Sequence, residues 1–204
     1  MEPSKANPQK PFSQSCEENK EPILHVIGPL FAGARTLLEI GSGTGQHAVY
    51  FAAAMPHLRW QASDRRENLA GIRLWREEAD LANLLPPLQV DVIGDAWPEQ
   101  IYDGVFSANT AHIMSWDEVQ AMFTGVARVL RPGGFFALYG PFNYGGRYTS
   151  HSNARFDAWL KAQDPRSSIK DFDALDALAQ RLGLLLAADH TMPVNNRTLV
   201  WSRG

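Results

Sequence analysis

The chain of 204 residues is 45% hydrophobic and carries 19 Lys plus Arg against 22 Asp plus Glu, a formal charge of −3. That length and apolar content suit one domain with a sizeable core and exclude a disordered chain, while the slight acidity excludes the basic excess of a nucleic-acid-coating protein. With no run of ~18 apolar residues for a membrane span and one cysteine, Cys16, the chain reads as a cytoplasmic protein with neither DNA nor membrane as partner.

Residues 1–15, rich in Pro, Lys, Asn, Gln and Ser, read as a flexible arm, and 16–204 as the single domain. Over 17–31, Ile23, Leu24, Ile27, Leu30 and Phe31 recur at helical spacing, with Pro22 near a first turn. Residues 35–40 form a short apolar run ending in glycines, which predicts a buried strand. An Ala-rich helix is expected over 45–55, a second strand over 58–63 and a second helix over 67–79. Third and fourth strands follow at 88–92 and 104–108. The amphipathic stretch 116–130 predicts a helix whose Ser115 and Glu118 form a capping box. Arg131-Pro-Gly-Gly134 stops it before a fifth strand over 135–139. After a Gly/Pro/Tyr loop over 140–149 come helices at 154–162 and 172–182, then closing strands near 184–188 and 197–201. Strands alternating with helices predict an α/β fold with a mostly parallel sheet covered on both faces. Ligands of such sheets sit beyond the carboxyl ends of the strands, where the strand order reverses.

The strongest chemical signal is Glu39-Ile-Gly41-Ser42-Gly43-Thr44-Gly45, a strand that delivers three alternate glycines and then a helix. Glycines there let a ligand approach the backbone, and the helix start offers free N–H groups. A dinucleotide fingerprint needs Gly at the position held by Gln46, so the spacing speaks against NAD or FAD. Asp64 ends the second strand about twenty residues on, where a carboxylate grips a ribose diol; capping a helix is the alternative. Asp91 ends the third strand beside Val92, an arrangement suited to accepting from an adenine amine under an apolar cover, or else to another helix cap.

These residues, with Leu130-Arg-Pro-Gly-Gly134, resemble the class I S-adenosylmethionine-dependent methyltransferases. More narrowly, the chain resembles a little-characterised, methyltransferase-like branch of that superfamily. The narrower match covers nearly the whole chain, through Glu17 to Leu24, Ser42 to His47 with its Gly-Gln-His, Tyr139-Gly-Pro-Phe142, Ser152-Asn153, Phe156-Asp157, Asp164-Pro165, Lys170-Asp171 and Met192-Pro-Val-Asn-Asn196. It departs at Glu18, where the branch usually has Arg, and at Ser167-Ser168, where it has an aromatic-Gly pair. The resemblance implies a Rossmann-like, seven-stranded sheet with an antiparallel last strand. It also implies S-adenosylmethionine as cofactor, S-adenosylhomocysteine as product and a methyl acceptor. On that reading the turn from Gly41 to Gly45 and Asp64, Asp91 and Val92 hold the cofactor. Glu39 takes the methionine amino group or forms an ion pair, and Asn109 contacts the methionine part or caps the loop.

Methyl transfer from a sulfonium is an in-line displacement, so the protein positions and excludes water, and a base is needed only where the acceptor must lose a proton. His112, after the fourth strand and with an ordinary pKa of ~6.5, is the candidate base; bonding a loop carbonyl is its alternative, and His47 reads as a loop pin. No histidine spacing suggests a metal. Asn109-Thr-Ala-His112 lacks the run of DNA amino-methylating enzymes, and Cys16, after Ser15, lacks the Pro-Cys pair of the cytosine-C5 class. The 140–149 loop reads as a lid whose polar handles are Asn143, Tyr144 and Arg147, with Asn153 and Asn195 approaching the same mouth. The expectation is methyl transfer to a small or medium-sized molecule, at oxygen or nitrogen rather than carbon. A cofactor-binding but catalytically idle partner protein is the alternative.

Overall fold

The computed structural model describes residues 10–94 and 97–204. The chain runs α1 (Gln14–Leu30), β1 (Thr36–Ile40), α2 (Gln46–Ala54), β2 (Arg59–Asp64), α3 (Leu69–Ala79), β3 (Leu88–Gln89), β4 (Tyr102–Ala108) and α4 (Trp116–Val129). It continues through β5 (Leu130–Gly140), β6 (Phe142–Asn143), α5 (His151–Gln163), β7 (Lys170–Asp171), α6 (Phe172–Arg181), β8 (Leu184–Thr191) and β9 (Arg197–Arg203). Seven strands form one sheet in the order β3-β2-β1-β4-β5-β9-β8, and β6 and β7 form a small separate pair. The pairings from β3 to β5 are all parallel, whereas β9 runs antiparallel to both β5 and β8. This is the Rossmann-like methyltransferase sheet, with its order reversing between β1 and β4.

The strands are apolar almost throughout because both faces are covered. Leu38, Ile40, Val105, Phe136 and Leu138 pack with α4 and α6 residues such as Val119, Met122 and Leu175. Their strand neighbours Leu37, Phe106, Ala137 and Tyr139 turn the other way, onto Ile23 and Ile27 of α1, Phe51 of α2 and Ile72 of α3. The capping box of α4 forms as read: Ser115 N donates to Glu118 Oε2 at 2.7 Å, and Glu118 N to Ser115 Oγ at 3.2 Å.

Four boundaries depart from the sequence reading. Of the expected arm, residues 1–9 lie outside the described residues, but Lys10 and Pro11 are held against α3, Trp75 Nε1 donating to the Pro11 carbonyl at 2.7 Å and Lys10 lying over the Trp75 ring, and Gln14 and Ser15 belong to α1. Because α1 starts at Gln14, Pro22 falls well inside the helix rather than near its first turn, and the Glu18 carbonyl loses its ordinary helical donor. The third strand shrinks to Leu88–Gln89, since only Ser63 and Asp64 of β2 offer it partners. β5 begins at Leu130 and bulges through Arg131-Pro-Gly-Gly134, its register with β4 shifting between Tyr102 and Gly104.

Gly125, on the buried side of α4, shows how tightly these layers meet: a Cβ there would lie 2.0 Å from Cε2 of Trp97. Gly125→Ala gains about 1 kcal/mol of helix propensity but overpacks a buried ring, which costs ~1–3 kcal/mol or more. We expect a net loss of stability, read as a lower denaturation midpoint; a more stable variant would show the Trp97 contact to be slack.

Candidate functional site

Beyond the carboxyl ends of β1 and β4 the strand order reverses, and there a cleft of about 580 Å³ opens. That is within the range of ligand sites, ~300–1,000 Å³. Its floor is the turn after β1. The three glycines do different work: a Cβ on Gly41 would lie 2.4 Å from Thr110 Cγ2, and one on Gly45 3.0 Å from the Ile72 Cα. Both are therefore packing positions, and Gly45 is not part of the cleft wall. Gly43 has φ +58 and nothing within 4 Å of where a Cβ would sit, so of the three it is the glycine whose side-chain position is left empty for a ligand.

Asp64, buried at the end of β2, accepts from Gly43 N at 2.6 Å on Oδ2, and from Arg65 N and Asn68 Nδ2 at 2.7 and 2.8 Å on Oδ1. Asp91 lies in the wall beside Val92, its Oδ1 accepting from Ile93 N and Gly94 N. Ser42, Thr44 and Asn109 complete this side, Asn109 turning the chain after β4 at φ 58. Glu39 does not reach the cleft. Its Oε2 is held by Ser42 Oγ and Trp60 Nε1, both at 2.9 Å, and burial raises its pKa to about 7. The ion-pair alternative is not met either: its partners are neutral.

One wall went unread in the sequence as such. The first turns of α1 contribute Ser13, Ser15, Cys16, Glu18, Asn19 and Pro22. Gln46 fastens this wall to the glycine turn: its Oε1 accepts from Ser13 N at 2.5 Å and its Nε2 donates to Glu17 Oε1 at 2.7 Å. His47 pins it again, bonded through Nε2 to Asn19 Oδ1 at 2.7 Å, and burial lowers its pKa to about 4. The signal was available: two side chains with hydrogen-bonding ends, Gln46 and His47, open an otherwise apolar helix.

Opposite stands His112, 8% exposed, with its ring edge-on to Phe156. Burial and the nearby Lys170 ammonium lower its pKa to about 4, so the ordinary value read from sequence does not hold and the ring is neutral at pH 7. It does not serve as the loop's anchor. Three consecutive carbonyls of its loop are clamped from outside: Ser168 N donates to His112 O at 3.0 Å, Ser167 Oγ to Ile113 O at 2.9 Å, and Lys170 Nζ to Met114 O at 2.6 Å. The serine pair where the resemblance expects aromatic-Gly thus supplies two of the three clamps.

The expected lid is only partly here. Pro141 reaches the cleft, but Asn143, Tyr144 and Arg147 do not. Asn143 pairs with Asp171 in the β6–β7 ladder, Tyr144 stacks on Phe172 and donates to Asp189 Oδ2 at 2.7 Å, and Arg147 closes an exposed turn back onto Tyr144. Asn153 lies in the wall. Asn195 does not, but its carbonyl accepts from Asn153 Nδ2 at 3.2 Å and its neighbour Asn196 takes the wall position.

Comparison with known proteins gives three kinds of likeness. The family described as "Protein of unknown function (DUF938)" matches residues 10–203. A fatty-acid O-methyltransferase of Mycolicibacterium smegmatis is 28% identical over 190 residues, 88% of this chain and 67% of that protein. Among solved structures, an O-methyltransferase family protein from Burkholderia thailandensis superposes with a TM-score of 0.82 at 18% identity over 93% of this chain. Human N-acetylserotonin methyltransferase in complex with S-adenosylmethionine superposes with a TM-score of 0.78 at 12% identity over 93%. The chain spans little more than half the length of these two structures, 57% and 53%.

Proposed function

The chain belongs to the DUF938 family, a methyltransferase-like branch of the class I superfamily, and we propose that it transfers a methyl group from S-adenosylmethionine to oxygen or nitrogen of a small or medium-sized acceptor. The observation that carries this reading is the convergence of the open Gly43 backbone, the Asp64 carboxylate and a neutral, buried histidine on one cleft at the strand-order reversal. The likeness to a fatty-acid O-methyltransferase supports methyl transfer and favours oxygen.

The residues fit the cofactor. Gly43 gives it close backbone approach, and Asp64 Oδ2, with one donor so far, keeps acceptor capacity for a ribose hydroxyl. Asp91 and Val92 stand where an adenine would meet a carboxylate and an apolar cover. Glu18 lines the cleft, and its carboxylate adds acceptor character suited to a cationic ligand. S-adenosylmethionine supplies a methyl group already activated by its sulfonium charge, so the protein's own share is positioning, exclusion of water and removal of the acceptor's proton. We assign the last to His112 and the second to the α1 wall.

Titration calorimetry with S-adenosylmethionine, followed by label transfer from the methyl-labelled cofactor into fractionated small molecules, tests the reading. Failure to bind the cofactor overturns it; binding without transfer to any fraction would favour the idle-partner alternative. Asp64→Ala is expected to weaken cofactor binding by ~1.5–3 kcal/mol, roughly ten- to more than a hundredfold. Unchanged affinity in a folded variant would return Asp64 to a purely capping role.

A further inference from the structure

The acceptor end of the cleft constrains what can be methylated, an inference that rests on the methyl-transfer reading. The charged groups in the described wall are the carboxylates of Glu18, Asp64, Asp91 and Glu118 and a single cation, Arg65. Arg65 lies beside Asp64, at the end of β2, and pairs with Glu67 at 3.2 Å. The other cation near His112 is engaged: Lys170 Nζ donates to Met114 O, Ser168 O and Ser168 Oγ at 2.6, 2.9 and 3.4 Å, which uses its three hydrogens.

The amides of this end are also turned one way. Asn153, 5% exposed, donates through Nδ2 to Thr149 Oγ1 at 3.0 Å and to the Asn195 carbonyl at 3.2 Å. Asn196 donates through Nδ2 to Tyr139 Oη at 3.0 Å and to the Pro193 carbonyl at 3.4 Å. A carbonyl partner can only accept, so both orientations are fixed and each side chain leaves its Oδ1, an acceptor, for a ligand. Around them the wall is apolar: Pro141, Ile113, Phe156 stacked on Trp159, and Val194. Val194 is 81% exposed and held at φ 57, a strained conformation for a β-branched residue and one that tends to persist at working sites.

We infer that the acceptor is an uncharged molecule with an apolar ring or body whose nucleophile is a hydrogen-bond-donating hydroxyl or amine, taken in preference to a carboxylate or phosphate on the same body. An O–H or N–H finds acceptors in Asn153 Oδ1, Asn196 Oδ1 and the His112 ring. A carboxylate or phosphate meets those same oxygens and a wall whose carboxylates outnumber its one cation, with hydroxyls such as those of Ser152 and Tyr139 and the single N–H of the neutral His112 ring as uncharged donors, so it binds more weakly than a neutral acceptor of the same body. In the transfer the methyl carbon bonds to the acceptor oxygen or nitrogen while the sulfur–carbon bond breaks with its electron pair on sulfur. The acceptor's proton passes to the His112 ring.

The test uses the full chain saturated with S-adenosylhomocysteine and two ligands that share one ring system, 2-naphthol and 2-naphthoate. Thermal shift should show clearly greater stabilisation by 2-naphthol than by 2-naphthoate; equal or greater stabilisation by 2-naphthoate, or none by either, overturns the inference. In parallel, labelled methyl transferred to a small-molecule extract or to palmitate is treated with mild alkali, which frees methanol from methyl esters but not from methyl ethers or methylamines. Alkali-stable label supports the inference. Alkali-labile label with intact cofactor binding overturns it alone, whereas loss of cofactor binding itself overturns the underlying methyl-transfer reading.

Discussion

Gly43→Val should abolish detectable S-adenosylmethionine binding while the far-ultraviolet circular dichroism stays that of the wild type. Gly43 holds φ +58, and the space where a side chain would project is empty protein-side because it is the cleft. A left-handed conformation costs an L-residue ~1–2 kcal/mol, more for a β-branched one, and that is tolerable against a typical domain stability of ~5–15 kcal/mol. The isopropyl group, in contrast, would project into the cleft where the glycine turn leaves room for the cofactor, so binding bears nearly the whole effect. Calorimetry alongside a melting curve separates the two losses. Affinity within threefold of wild type in a folded variant would mean that the turn is not the cradle.

His112→Ala should lower the transfer rate by ~10²–10⁴-fold, the usual worth of a positioned base, with cofactor affinity nearly unchanged. The pH dependence gives the sharper check. Because burial and Lys170 hold the His112 pKa at about 4, the ring stays able to accept a proton down to that pH. The wild-type rate should therefore fall near pH 4 rather than near 6.5, and the limb should be absent in the variant. Replacing Lys170 with Met removes the repelling charge and should move the limb upward. A full-rate His112→Ala enzyme with an unaltered profile would leave proximity as the whole mechanism. Stability must be followed across the same range. Burial holds the pKa of both His47 and His112 at about 4 in the folded chain, below the usual 6.5. Between pH 6.5 and 4 the unfolded chain therefore binds more protons, and each group withdraws up to roughly 3 kcal/mol as the pH falls through that window.

The order of elements was legible in the sequence because strands buried on both faces are apolar at consecutive positions, as Leu37-Leu38 and Val105-Phe106 are, and glycines or prolines end them. What lay next to a strand end was legible too, since a parallel sheet places those residues together: Gly43, Asp64, Asp91, Asn109 and His112 all meet in the cleft. Contacts made by side chains across long separations were not. Tyr144 and Asp189 are 45 residues apart, and nothing in a loop of aromatic and polar residues says which way its ring turns. The two-residue β6 and β7 have no periodicity to detect, and the ionisation of His112 depends on a lysine 58 positions downstream that only the fold brings near.

The cleft draws on residue 13 at one extreme and residue 196 at the other. Ile23 and Ile27 of α1 share their core with Ala137 of β5 and Val200 of β9, so the helix that walls the site is seated partly against residues more than a hundred positions further along the chain. No shorter stretch of chain holds the site, and a ligand can recognise only the finished topology. Occupancy and global folding are thus joined by mass action: a ligand at a hundred times its Kd deepens the native well by about 2.7 kcal/mol, with nothing gained by partly folded forms. Newly made chains would then be sorted by cofactor supply, the loaded ones persisting and the empty ones opening more often to proteolysis.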